Sequence, residues 1–206
     1  MHGSKALLSI QQTHREIVDK LWNICFSYNL VHTPVKELNR HDWKPVYYFK
    51  TFTMPYFTRL FNAWYTNING KCVKVIPSDI DKLLTPIALA HWIMGAGGFD
   101  GHGRGAGRVT LYSKNFTLEE VELLRKLLLE KFGLESALNK VANADSKRGY
   151  AIRIPSRSLS TLQSVVAPHI YPSLMYKTPS RCDRIKLKLY SALATWCTCR
   201  AGPLHR

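Results

Sequence analysis

Basic side chains recur along the stretches of this chain that read as strands and their turns. Arg104, Arg108, Lys114, Lys140, Lys147, Arg148, Arg153 and Arg157 lie in the second half, and Lys177 follows. Lys36, Arg40, Lys44 and Lys50 occupy comparable strands in the first half. Strand residues alternate faces, so about half of these charges share one surface, an arrangement suited to phosphates. Acids are scarce on the same strands, which weakens the alternative of an ordinary solvated face. A second feature is the apolar run IALAHWIM, which ends in Gly95-Ala96-Gly97-Gly98 with Asp100 beyond. His91 and His102 are ligands on paper, but a lone histidine on an apolar helix reads as core or interface. The five cysteines are odd in number and scattered, which argues against a disulfide framework. Cys197-Thr-Cys199 is too short for a zinc knuckle. The residues imply no cofactor and no metal.

The elements that carry these residues are punctuated by caps and breakers. Ala6–Gln12 reads as a strand, and a helix follows from His14 or Arg15 to about Tyr28. Val35–Arg40 and Pro45–Phe52 read as short strands, with Tyr47, Tyr48 and Phe49 more core-like than stacking platforms. Tyr112 on a later strand reads the same way. A helix runs from Pro55 to Tyr65, Asn67–Gly70 breaks it, and the stretch to Thr85 reads as linker. Pro86 opens the apolar helix, while Gly-Gly-Phe-Asp-Gly after it reads as a turn. Arg108–Lys114 is a strand by composition. Thr117 and Glu120 form a capping box ahead of LEEVELLRKLLLEKF, and Gly133 stops it. Strands are expected at Leu134–Val141 and Tyr150–Pro155, a helix at Leu159–Val166, and a helical tail from Arg181 to about Trp196. The order suggests two αββαββα units, the first without its opening helix.

The 206 residues carry 29 Lys plus Arg against 14 Asp plus Glu, a net charge of +15. That surplus points to a polyanionic partner. It is uneven: residues 140–206 hold 12 basic and 2 acidic side chains, whereas residues 83–139 are balanced. No run of about 18 apolar residues exists, which argues against a membrane span and a membrane partner. The first twenty residues read as neither a secretory signal nor a transit peptide.

From Leu83 to Pro179 the chain resembles the LAGLIDADG homing endonuclease family. The resemblance is carried by LTPIALAHWIMGAGGFDG (Leu84–Gly101), VTLYSKNFTLEEVELLRKLLLEKFGLESALNK (Val109–Lys140) and AIRIPSRSLSTLQSVVAPHIYPSLMYKTP (Ala151–Pro179). Residues 5–66 resemble the family's other repeat more weakly. The resemblance implies an α+β fold: a LAGLIDADG-type saddle of two αββαββα repeats, the first lacking its motif helix. It divides the chain into residues 1–82, residues 83–179 and a basic tail, 180–206. It also implies two motif helices packed together, each ending in a carboxylate that holds divalent metal at the scissile phosphates. Here Ala96 occupies the acid position and Gly95 precedes it, and neither can bind a metal ion.

These departures lead to the expectation of a chain that is not an enzyme. It would be a nuclease-inactive, RNA-binding structural protein of an organellar ribonucleoprotein, located in the mitochondrion as a ribosome subunit bound to ribosomal RNA. The strand cations would contact the RNA, together with Arg181, Arg184, Lys186 and Lys188 of the tail. Neighbouring proteins would cover the small-residue face of the motif helix. The alternative is a group I intron maturase, or a split homing endonuclease acting on DNA with a second polypeptide. A third reading, a sequence-specific DNA-binding repressor, suits the basic tail less well.

Overall fold

The computed structural model describes residues 6–39, 44–101, 107–141 and 149–180. The chain divides into two compact units, Met1–Leu83 and Leu84–Arg206.

In the second unit, helix α4 (Pro86–Ala96) starts where Thr85 accepts a hydrogen bond from the Ala88 amide through its hydroxyl. Pro86 sits in the first turn, where its missing N–H costs nothing. Strand β6 (Gly97–Asp100) follows without a break and pairs antiparallel with β7 (Arg108–Tyr112). Helix α5 (Leu118–Phe132) has the capping box that its sequence announces. The Thr117 hydroxyl accepts from the Glu120 amide at 3.3 Å, and the Glu120 carboxylate accepts from the Thr117 amide at 2.7 Å. Strands β8 (Ala137–Lys140) and β9 (Tyr150–Ile154) and helix α6 (Leu159–Val166) complete an αββαββα unit. Its sheet runs in the order β6-β7-β9-β8.

The pleat of this sheet separates two chemistries. Val109, Leu111, Ile152 and Ile154 are fully buried and register with one another across β7 and β9. Leu89, Ile93 and Met94 of α4, Val121, Leu124 and Leu128 of α5, and Leu162 and Val166 of α6 complete the core. Burying each such side chain contributes about 1.5–3 kcal/mol, so this layer fixes which residues face the other way. On the opposite face lie Gly98 and Asp100, then Arg108, Thr110 and Tyr112, then Arg153 with Asn139 beside it.

The first unit holds strand β1 (Ser9–Gln12), helix α1 (Arg15–Ser27), strands β2 (Lys36–Leu38) and β3 (Val46–Lys50), and helix α2 (Pro55–Trp64). Its sheet order, β1-β3-β2, reproduces β7-β9-β8, with α1 and α2 at the chain positions of α5 and α6. Among the described residues, this unit has no counterpart of α4 or of the edge strand β6. Val18, Cys25, Val31 and Phe49 form its core, with Ile10, Leu21 and Tyr47 against it.

Two expectations are corrected here. The stretch read as linker contains a hairpin, β4 (Tyr65–Ile68) and β5 (Lys71–Lys74), and a short helix α3 (Ile80–Leu83). Asn69 and Gly70 both take positive φ (51° and 77°), as a tight two-residue hairpin turn requires. The Gly-Gly-Phe-Asp stretch is a strand rather than a turn, because its main chain is satisfied by β7. Glycine at 97 has a packing reason, since a Cβ there would lie 2.6 Å from the Ile93 carbonyl oxygen. The expected tail helix lies outside the described residues.

Candidate nucleic-acid interface

The open face of the second unit's sheet is floored by Thr110 and Arg153, register partners on β7 and β9. Around them a groove of about 500 Å³ is lined by Gly98, Phe99, Asp100, Arg108, Tyr112, Asn139, Lys140 and Val141. Asp100 supplies its one carboxylate among these lining residues. Arg108 lies directly opposite on β7 and donates from Nη2 to Asp100 Oδ2 at 2.5 Å. The acid is therefore engaged, and Arg153 and Lys140 leave the groove net positive. Arg153 Nε is buried and makes no hydrogen bond. Tyr112 is 49% exposed on this face, with Lys114 Nζ 5.4 Å from its ring centroid. The expectation that this ring belongs to the core is corrected: its position in the pleat turns it outward.

The first unit repeats the pattern in simpler form. Lys36, Tyr48 and Gln11 stand in one row across β2, β3 and β1, and Lys50 with Ser9 stands two residues further along. The acid of this sheet, Glu37, pairs with Tyr47 on the other face. That face packs on α1, whose Arg15 guanidinium lies 5.5 Å from the Tyr47 ring centroid. Lys44 is exposed just before β3.

Two of the expected contact residues are placed otherwise. Lys177 is only 8% exposed, and its Nζ donates to the carbonyl oxygens of Met94 at 2.5 Å and Ile93 at 3.5 Å. It satisfies the C-terminal carbonyls of α4 and is not a surface cation. Desolvation holds its amine below the ordinary lysine range. Arg157 donates from Nε to Glu135 at 2.6 Å, so its charge is partnered across 22 residues of chain. Arg40, Arg104, Lys147, Arg148, Arg181, Arg184, Lys186 and Lys188 lie outside the described residues, as does His102.

The end of α4 is where a divalent metal would be held in the arrangement that the resemblance implies. Gly95 and Ala96 offer no donor side chain there, and the Asp100 carboxylate is engaged by Arg108 on the sheet. The described residues do not fit a metal site at this helix end. His91, on the same helix, packs edge-on against Tyr171 at 5.7 Å. Its pKa lies below the ordinary 6.5, mainly through burial and secondly through His169. No described helix is long and apolar enough to cross a membrane.

Comparison with known proteins supplies the lineage. The chain is 33% identical over 180 residues to a cytochrome b mRNA maturase bI2 of Debaryomyces hansenii, covering 85% of this chain. It spans 64% of that protein, less than two thirds of its length. It is also 33% identical to the intron-encoded endonuclease ai4 of Dictyostelium discoideum, covering 69% of this chain and 79% of that protein. The structure of the homing endonuclease I-WcaI bound to its DNA recognition sequence shares the fold. It has a TM-score of 0.70 at 22% identity, covering 86% of this chain and 77% of that one.

These findings correct the expectation that the chain is not an enzyme, because a near relative is named an endonuclease and the family is one of DNA endonucleases. That expectation extrapolated from Ala96 and from the absent first motif helix, and the loss of motif positions in one chain does not set the activity of a lineage. Nor does either relative named here carry a ribosomal name. The family model described as the LAGLIDADG DNA endonuclease family matches residues 2–162, and the chain belongs to that family.

Proposed function

We propose that the chain is an intron-encoded maturase that binds the folded RNA of a group I intron through the open faces of the β1-β3-β2 and β6-β7-β9-β8 sheets. The observation that carries this reading is the division of charge by the pleat. Arg108, Arg153, Lys36 and Lys50 stand on open faces, Asp100 is tied to Arg108, and Glu37 is turned to the helix side. Cations projecting from a rigid sheet position a phosphate backbone without needing a chemical step. The likeness to the Debaryomyces maturase supports RNA as the partner. A mitochondrial setting accompanies a cytochrome b intron, and other proteins on the same RNA would meet the exposed Ile87 edge of α4.

A second reading, a homing endonuclease acting on DNA with a second polypeptide, is supported by the likeness to the Dictyostelium endonuclease. Splicing separates the two. Adding purified protein to a group I intron transcript, at a magnesium concentration too low for self-splicing, should restore splicing. Cleavage of the intronless DNA site under matched conditions, without an effect on splicing, would favour the second reading.

A further inference from the structure

The open sheet faces account for phosphate contacts but leave Tyr112 without a task. Its ring is half exposed, although the strand pattern around it buries both Val109 and Leu111. Across the sheet at β6 stands Gly98, where an added Cβ would find Tyr112 Cε2 as its nearest neighbour, at 3.9 Å. The glycine therefore leaves the ring edge uncovered on the groove side. Strand β7 is held at this point from below, where Trp92 Nε1 donates to the Tyr112 carbonyl at 3.4 Å.

The rest of the groove suits a base. Asn139 carries both an amide donor and an amide acceptor, Thr110 has a hydroxyl, and the Asp100–Arg108 pair forms a polar wall. Lys140 and Arg153 add positive charge for a phosphate, and Lys114 lies beside the ring. The volume, about 500 Å³, is within the range of small-ligand sites. A paired base in a duplex has both faces covered by its neighbours and offers nothing to a ring set in a concavity. An unpaired base offers a free face, and aromatic side chains take such bases by stacking.

We propose that this groove is a pocket for one unstacked nucleobase, with Tyr112 as the stacking platform and Asn139 and Thr110 at the base edge. The proposal rests on the reading that the chain binds nucleic acid, and it adds that the chain selects bulged or looped positions over continuous helix. The shared chemistry is a base out of its stack, whether in RNA or DNA.

Two hairpins that differ only by a single bulged 2-aminopurine test it, each made in RNA and in DNA. Wild-type protein should bind the bulged form about tenfold more tightly than the fully paired form in at least one polynucleotide. The 2-aminopurine fluorescence should fall on binding. Tyr112→Leu should abolish both the preference and the quenching, bringing the bulged form's Kd to that of the paired form. Tyr112→Trp should retain both, which guards against a merely misfolded strand. Equal affinity for bulged and paired forms in both polynucleotides would overturn the base pocket alone. So would a Tyr112→Leu variant that weakens both forms alike. Failure to bind any hairpin would overturn the nucleic-acid reading and the pocket with it.

Discussion

Asp100 and Arg108 are joined twice: they are register partners on β6 and β7, and Arg108 Nη2 donates to Asp100 Oδ2 at 2.5 Å. The pair is substantially exposed, so it adds little to stability. Its larger effect is on charge, because it masks one cation of the groove. Asp100→Asn should therefore bind RNA several-fold more tightly, with a salt dependence steeper by about one ion. Filter binding across a salt series checks this, and the melting temperature should hardly move.

Arg153 should behave in the opposite way. It stands at the groove floor with no carboxylate opposite, its register partners being Thr110 and Ala137. Arg153→Gln is predicted to weaken RNA binding and to reduce the salt slope by about one. Arg157→Gln is the matched control. That arginine is already paired with Glu135, so the slope should stay near the wild-type value.

Lys177 serves the fold. Replacing it by Met removes the ammonium donor from the Met94 carbonyl in a buried setting, while the Ile93 carbonyl keeps the Gly97 amide. The expected cost is about 1–3 kcal/mol, seen as a melting temperature lower by several degrees. The salt slope of RNA binding should be unaffected in the fraction that remains folded. A change of slope with unchanged stability would mean that Lys177 touches phosphate after all.

Acid should loosen the packing around α4. His91 has a lowered pKa in the fold, so between that value and 6.5 the unfolded chain binds more protons. Stability is then full above about pH 6.5 and declines as pH falls toward the folded value. Protonation would also set His91 against His169. The melting temperature should drop between pH 7 and pH 5, and by less in His91→Gln; parallel curves for the two proteins would remove His91 as the cause.

Much of the second unit is legible because its signals are local. Pro86 announces α4, and Thr117 with Glu120 announces α5, by first-turn and capping chemistry that needs no tertiary partner. Strand β6 is not legible, since Gly97-Gly98 favours a turn until β7 supplies the pairing. The β4–β5 hairpin has exposed, irregular strands, and its one local signal is Asn69-Gly70 at the turn. In the candidate site, charge on strands singles out Arg108 and Arg153, which line the groove. It misplaced Lys177 and Arg157, because a lysine serving helix carbonyls and an arginine bound 22 residues away look like free cations in sequence. Tyr112 was misread for the opposite reason: aromatic residues on strands are usually buried, and only the register shows which face this one takes. Ala96 shows how far a single position reaches, since it describes one helix end and not the activity of the family.

The proposed maturase role requires that the sheet faces recognise a folded intron RNA. The most direct measurement is competition binding of the purified chain to its own intron transcript against ribosomal RNA and the matching DNA duplex, at one fixed salt concentration. The intron RNA should be bound at least about a hundredfold more tightly than either competitor, above the non-specific phosphate contribution. Equal affinity for the three, or a preference for ribosomal RNA or for the duplex, would contradict it.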